Sequence, residues 1–378
     1  MALAPSSAAS APRDRDDATL RAAVGGLTGS LTFLVGDDAV TYRVIDGTVA
    51  VEEGARDGDT AVRLEPQAWA DLLGQVRTPI NLLLSEQLSF ERGAFARLAD
   101  WDQVLAYLHH GIPPYHPDRA DLRGRDPRAS MTLDDSDEEL REQLQTMGYL
   151  HLRSVFSAEE MAAANAEVDR LAAAAREGDD TSWWVTAESG EQALCRLVYA
   201  SQRSAVLQRL EADPRVRRLG TLLDPALRIA PDRMEGSAVL IKVPGKTKGL
   251  SNIPWHQDCG MGGHAIFCPS VAIGIQLTGS TAGSGNLLVV PGSHGQSMHV
   301  QWRENLDDVP VVEIDTAPGD VTVHVQDVMH ASPRPTAAGG RRTMYTTFYP
   351  AVLWDHIGPG EAFNDLVRNR TQQVAGIA

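Results

Sequence analysis

Alternation dominates the first third of the chain. In SLTFLVGDDAVTYRVIDGTVAVEEG (30–54) apolar and β-branched residues recur at every second position, and the run is cut at Gly36-Asp37 and again at Asp46-Gly47. Period two predicts strands and the Gly/Asp pairs predict tight turns, so the segment reads as a three-stranded meander. TAVRLEP (60–66) predicts a fourth strand. From Pro66 the period lengthens. The stretch PQAWADLLGQVRTPINLLLSEQLSFERGAFARLADWDQVLAYL (66–108) predicts a helix, a second and more apolar helix, and a short strand at LSF. It ends in one final helix with Phe95, Leu98 and Leu105 on its apolar face. Residues 20–112 are therefore expected to form an α+β domain.

A different grammar begins at residue 131. The intervening GIPPYHPDRADLRGRDPRAS is dense in proline, glycine and charge and has no apolar face, so 113–130 reads as a linker. Ser136 with Glu139, and Ser157 with Glu160, are capping boxes that start two helices, with YLHLRSV between them as a strand. Short apolar runs then alternate with Gly/Pro turns: SAVLIKVPG, PSVAIGIQLTG, GNLLVVPGSH, VVEIDTAPGDVTVHVQDV and RRTMYTTFYPAV. Many short strands at this spacing predict a mainly-β sandwich or barrel with flanking helices over 131–378. Residues 1–19 are expected to be a disordered tail.

Composition narrows the function. A hydrophobic fraction of 43% in 378 residues supports two real cores, and a net charge of −16 offers no basic stripe for nucleic acid. Cys195, Cys259 and Cys268 form no CxxC pair and leave an odd count, so neither a disulfide framework nor a thiolate zinc site is expected. A reducing, cytoplasmic setting is the simplest expectation. No run approaches about 18 apolar residues, and the N-terminal stretch lacks the apolar core of a signal peptide.

The chemistry concentrates in PWHQDCGMGG (254–263). On extended backbone His256 and Asp258 face the same way and could share a small cation. His-x-Asp alone is common, so a third ligand from a later strand has to decide. Downstream stand His264, His294, His299, His324, His330 and His356. His264 is poorly braced in a glycine-flanked loop, His294 ends a turn, and His324 reads as an ordinary half-buried strand histidine. His330 differs, because the Gly319-Asp320 turn launches the strand that leads to it.

Taken together, WHQD, GNLLVVPGSH, PGDVTVHVQDVMHASPRP and GGRR, in that order, resemble the phytanoyl-CoA dioxygenase family of Fe(II)- and 2-oxoglutarate-dependent oxygenases. LREQLQTMGYLHLRSVFSAEEM resembles that family's entry helix and first strand, so the likeness spans about 136–350. It implies a double-stranded β-helix with His256, Asp258 and His330 as the iron triad. It also implies Arg341, eleven residues beyond His330, as the anchor of 2-oxoglutarate and Ser332 as its hydroxyl partner. Two imidazoles and one carboxylate leave about three iron positions for the keto acid and O2, and an arginine fork suits the distal carboxylate. Arg342 faces the other side of a strand and is the alternative anchor. Relatives that halogenate have a small residue in place of the carboxylate, so Asp258 implies oxidation of a C–H bond.

Lys242 and Gln276 are further candidates for the co-substrate pocket. Trp183, Trp184 and Trp255 are candidates for substrate contact or core, while Asn286 and Ser293 read as turn-stabilising and Cys259 as packed near the metal. The phrase AWADLLGQVRTPINLLLSEQLSFERG resembles the sterol carrier protein type 2 family, although Ser85-Glu86-Gln87-Leu88 replaces its usual Gly-Lys-Leu step. This resemblance implies either an apolar ligand or a module for packing or homodimerisation. A small organic substrate of specialised metabolism is the expectation, and an acyl lipid or acyl-CoA, helped by Lys246 and Lys248, is the second.

Overall fold

A computed structural model describes residues 17–55, 57–74, 77–186, 190–229, 237–244, 252–258, 270–298, 306, 309–337 and 339–351. Residues 1–16, Lys246, Lys248, Cys259, His264, Cys268, His299 and His356 lie outside the described residues. The last residues assigned above to a tail are helical, because α1 (Asp17–Val24) buries Leu20, Ala23 and Val24.

The meander is present as β1 (Ser30–Val35), β2 (Asp38–Ile45) and β3 (Thr48–Glu53), followed by β4 (Thr60–Leu64). Asp46 at φ 51° and Gly47 at φ 72° supply the two left-handed residues that a tight hairpin turn needs. Helices α2 (Pro66–Leu73) and α3 (Pro79–Leu84) lead to β5 (Leu88–Arg92), and the sheet order is β3-β2-β1-β4-β5 with β1 and β4 parallel. The single final helix expected after β5 is two, α4 (Phe95–Ala99) and α5 (Asp102–His110). The break at Asp100-Trp101 turns Trp101 into the core beside Leu98 and Val104, while Phe95 and Leu105 stay only partly buried. Residues 113–130 carry one 3-10 turn, Pro117–Arg119, yet are no free spacer. Tyr115 N donates to Ser297 O at 2.7 Å, and Tyr149 Oη donates to Pro127 O at 2.6 Å.

Both expected capping boxes are formed. Ser136 and Glu139 start α6 (Asp137–Met147), and Ser157 and Glu160 start α7 (Ala158–Ala174), with β6 (Tyr149–Leu152) between. A hairpin that the sequence reading did not anticipate follows, β7 (Ser182–Thr186) and β8 (Gln192–Leu197), then α8 (Ala200–Arg203), α9 (Ala205–Glu211) and α10 (Pro214–Gly220). The remaining strands are β9 (Ala238–Lys242), β10 (Ile253–His256), β11 (Val271–Gln276), β12 (Leu287–Val289) and β13 (Val312–Ile314). Last come β14 (Val321–Val325), β15 (His330–Ser332) and β16 (Arg341–Phe348). They form an antiparallel seven-stranded sheet, β6-β14-β11-β16-β9-β8-β7, and a four-stranded one, β10-β15-β12-β13.

Strands β9, β11 and β14 of the large sheet are buried on both faces, and the alternation has an unusual sense. Val239, Ile241, Ile273, Ile275, Val321 and Val323 join the helix-side core. The alternate positions Lys242, Gln276, Thr322, His324, Arg341 and Thr343 are polar and just as buried, at 0–2% exposure. A half-buried strand normally turns its polar residues to water. Here they turn inward, so the polar row marks a place where polar groups have work to do.

Asp320, in the turn before β14, ties that turn to the edge strand β6 and the residues just after it. Its carboxylate accepts from Ser154 N and Ala317 N, each at 2.9 Å, and pairs with His151 Nε2 at 2.9 Å. Burial opposes its ionisation, but these bonds outweigh burial and hold the carboxyl below its ordinary value. A lowered folded-state value means the contribution is complete above about pH 4 and is lost as pH falls through the folded value. Asp320→Ala should therefore cost roughly 2–4 kcal/mol at pH 7, since it leaves two amides and an imidazole unpaired, and should cost clearly less near pH 3. Urea unfolding at the two pH values checks this.

Candidate metal centre and anion cradle

His256 and His330 face each other across the antiparallel pair β10–β15, in register, with a bulge on the stretch back to the Ile253–Ser332 pair. His330 thus arrives on β15 of the smaller sheet. It does not lie on β14, the strand launched by the Gly319-Asp320 turn, because residues 326–329 turn the chain from one sheet to the other. Asp258 lies just beyond β10, where its N–H donates to Gln326 O at 2.9 Å, so the two crossing segments pin each other.

The ring nitrogens are sorted by backbone carbonyls. His256 Nδ1 is 2.8 Å from Pro254 O and His330 Nδ1 is 2.9 Å from Val328 O, which assigns the ring proton to Nδ1 in both and leaves Nε2 bare. Both Nε2 atoms face Asp258 Oδ1, at 3.3 and 3.7 Å. One ligand atom from each of the three residues falls within 4.8 Å of the others. Burial, then the neighbouring His256 ring, push His330 down to about 3, so its lone pair is available at neutral pH. Burial also works against a charged His256, but Asp258 outweighs it and raises that ring. For Asp258 the imidazoles of His330, His256 and His324 outweigh burial and keep the carboxyl well below its usual range. Two bare imidazole nitrogens and an ionised carboxylate are a donor set that suits non-haem iron(II).

A second cluster is built on β16 and β9, where Arg341 and Lys242 are register partners and both are 1% exposed. Arg341 Nη1 donates to Ser332 Oγ at 3.1 Å and Gly285 O at 2.9 Å, Nη2 to Tyr345 Oη at 2.9 Å, and Nε to Thr343 Oγ1 at 2.8 Å. Thr343 Oγ1 donates in turn to Gln276 Oε1 at 3.0 Å, so Gln276 braces the arginine from behind. Lys242 Nζ donates to Ser332 O, and to Pro333 O at 2.7 Å. Burial, then the Arg341 guanidinium, push the lysine down to about 6, which leaves arginine as the fixed cation of the cradle at neutral pH. Arg342 points to the opposite face and pairs with Asp169 at 2.7 Å.

A family model described as phytanoyl-CoA dioxygenase matches residues 144–343, more than half of the chain. The chain belongs to the phytanoyl-CoA dioxygenase family. It is a 2-oxoglutarate-dependent non-haem iron oxygenase, working with iron, 2-oxoglutarate and O2. Solved structures similar to it include the non-haem alpha-ketoglutarate-dependent epimerase SnoN from nogalamycin biosynthesis, at 21% identity, covering 57% of this chain and 83% of that one, with a TM-score of 0.45. EctD from S. alaskensis with bound Fe is 23% identical over 59% of this chain and 81% of that one, TM-score 0.46. AviO1 from Streptomyces viridochromogenes Tue57 is 23% identical over 57% and 96%, TM-score 0.44. No curated protein matches the chain.

Within this phytanoyl-CoA dioxygenase family member, several further candidates are engaged in packing or in turn contacts. Trp255 is 5% exposed in an apolar cluster with Val290 and Met329. Trp184 packs on the main core from β7, and Trp183 lies under the Arg196 guanidinium at 5.7 Å. Asn286 Nδ2 donates to Asp315 at 2.8 Å, and Ser293 Oγ accepts from Met329 N at 2.8 Å, both holding turns. The sequence reading missed Gly285, Thr343 and Tyr345 around Arg341, and His324 beside Asp258. Thr343 and Tyr345 share Arg341's strand face, so strict alternation along RRTMYTTF was the available signal. Gly285 holds φ 74°, and a Cβ there would collide with the Pro333 carbonyl. Gly285→Ala should displace the Ser332–Arg341 pair and weaken 2-oxoglutarate at least tenfold with little change in iron affinity, as anaerobic titration would show.

Proposed function

We propose that the chain oxidises an unactivated C–H bond of a small organic substrate, of the kind found in specialised metabolism, with His256, Asp258 and His330 as iron ligands and Arg341 as the 2-oxoglutarate anchor. The convergence of two bare Nε2 atoms and one carboxylate oxygen at a single point carries the reading. When bound, iron supplies the oxidising chemistry while 2-oxoglutarate is converted to succinate and CO2. The chain's own part is placement. The Pro254 and Val328 carbonyls hold the two rings, and Asp258 brings the negative charge that favours a divalent cation. Arg341 and Ser332 offer the distal carboxylate a fork and a hydroxyl inside a water-poor wall. Asp258 supports C–H oxidation over halogenation, because a carboxylate sits where a halide would need space.

The acyl-lipid reading has weaker support. The cavity between α2, α3 and α5, lined by Trp69, Leu72, Leu98 and Leu105 among others, is about 50 Å³. That is below the roughly 150 Å³ that accommodates benzene, so an acyl chain there would require the helices to part. Succinate release should be screened with small polar metabolites, amino acids and acyl-CoA thioesters side by side. Turnover confined to acyl thioesters would refute the small-substrate reading.

A further inference from the structure

Three imidazoles surround Asp258, and only two of them belong to the proposed ligand set. Oδ1 faces His256 and His330, whereas Oδ2 faces His324 Nε2 at 3.3 Å. His324 comes from β14 of the large sheet, its side chain is 3% exposed, and its ring centroid lies 4.6 Å from that of His330. Its other nitrogen, Nδ1, is buried and has no hydrogen-bond partner among the described residues.

That orphan decides the tautomer. With no acceptor near Nδ1 among the described residues, a proton there would be a buried unpaired donor, whereas a proton on Nε2 meets a carboxylate oxygen, so the network assigns it to Nε2. The assignment is the reverse of that in His256 and His330, which donate from Nδ1 and keep Nε2 bare. His324 therefore offers the site a donor where its neighbours offer lone pairs. Buried polar side chains usually find a partner for each polar atom; among the described residues this histidine makes its single side-chain bond to Asp258.

We propose that His324 is a positioning residue of the metal centre: its Nε2–H holds Asp258 Oδ2 so that the carboxylate presents Oδ1 alone. The inference rests on the ligand reading above. A carboxylate free to rotate can chelate with both oxygens and take one of the three positions that 2-oxoglutarate and O2 need. Locked on one side by His324, it contributes one.

The test uses the full chain under anaerobic conditions, with Fe(II) and Co(II) as probes. Replacing the donor by an apolar isostere, His324→Leu, should weaken Fe(II) binding about 10–100-fold and alter the visible Co(II) spectrum. His324→Gln, which returns an N–H near the Nε2 position, should recover affinity to within a few-fold. Should the leucine variant not fold, the wild type answers by ¹⁵N-histidine NMR, with an Nε2–H tautomer for His324 and Nδ1–H tautomers for His256 and His330. Wild-type binding with unchanged affinity and spectrum in His324→Leu, or an Nδ1–H tautomer for His324, overturns this inference alone. Loss of Co(II) as complete as in His330→Ala, unrescued by glutamine, also overturns it by making His324 a ligand. Wild-type protein that takes up neither metal overturns the ligand reading and this inference with it.

Discussion

Arg341→Ala is expected to raise the Kd for 2-oxoglutarate by roughly 30- to 5,000-fold while leaving Fe(II) affinity within a few-fold. Truncating one partner of a desolvated, hydrogen-bonded charge pair costs about 2–5 kcal/mol. Arg341 is 1% exposed and already held by Ser332, Gly285, Tyr345 and Thr343, so its fork is in place before the ligand arrives. Lys242 cannot substitute fully, because burial still disfavours its charged form and its protons go to backbone carbonyls. Anaerobic calorimetry of 2-oxoglutarate into the iron-loaded protein gives the number. Arg342→Ala is the control, since that side chain pairs with Asp169 outside the barrel; a larger effect from the control would move the anchor to the wrong side of β16 and refute the assignment.

His330→Ala should abolish stoichiometric Fe(II) binding and with it the weak visible charge-transfer band expected when iron and 2-oxoglutarate are both bound. Two ligands, one of them a carboxylate that is 32% exposed, would be left to hold the ion. The fold should survive, because among the described residues the His330 side chain makes one hydrogen bond, to Val328 O, and the β15 backbone pairing does not depend on its side chain. A band of unchanged intensity would show that another histidine supplies the third ligand.

Much of this architecture was legible because its strands are short, β-branched and cut by residues that tolerate left-handed backbone. The meander, both capping boxes and most barrel strands follow from local rules of that kind. Other features did not, among them the β7–β8 hairpin. The break at Asp100-Trp101 arises because burying Trp101 against the sheet outweighs continuing one helix, a tertiary preference invisible in a periodic pattern. VTVHVQDVMHAS reads as one run, but residues 326–329 carry it from one sheet to the other. His324 looked like ordinary strand packing because its meaning depends on Asp258, 66 residues earlier, reaching the end of β14 through the Gln326 carbonyl. The resemblance of the motifs to a known family pointed to His256, Asp258, His330, Arg341 and Ser332; the groups that hold them needed three dimensions.

Strand β15 carries His330 at one end and Ser332 at the other. In the proposed arrangement one of these addresses the metal and the other the distal carboxylate, so the span between the two ends of the co-substrate is measured in backbone. Two residues of extended chain rise about 6.6 Å, and neither side-chain rotation nor loop motion can stretch that length. Such a strand behaves as a fixed calliper for diacids. On the proposed arrangement the five-carbon keto diacid is expected to bind ahead of the four-carbon oxaloacetate and the six-carbon 2-oxoadipate, which inhibition and turnover comparisons of the three would check.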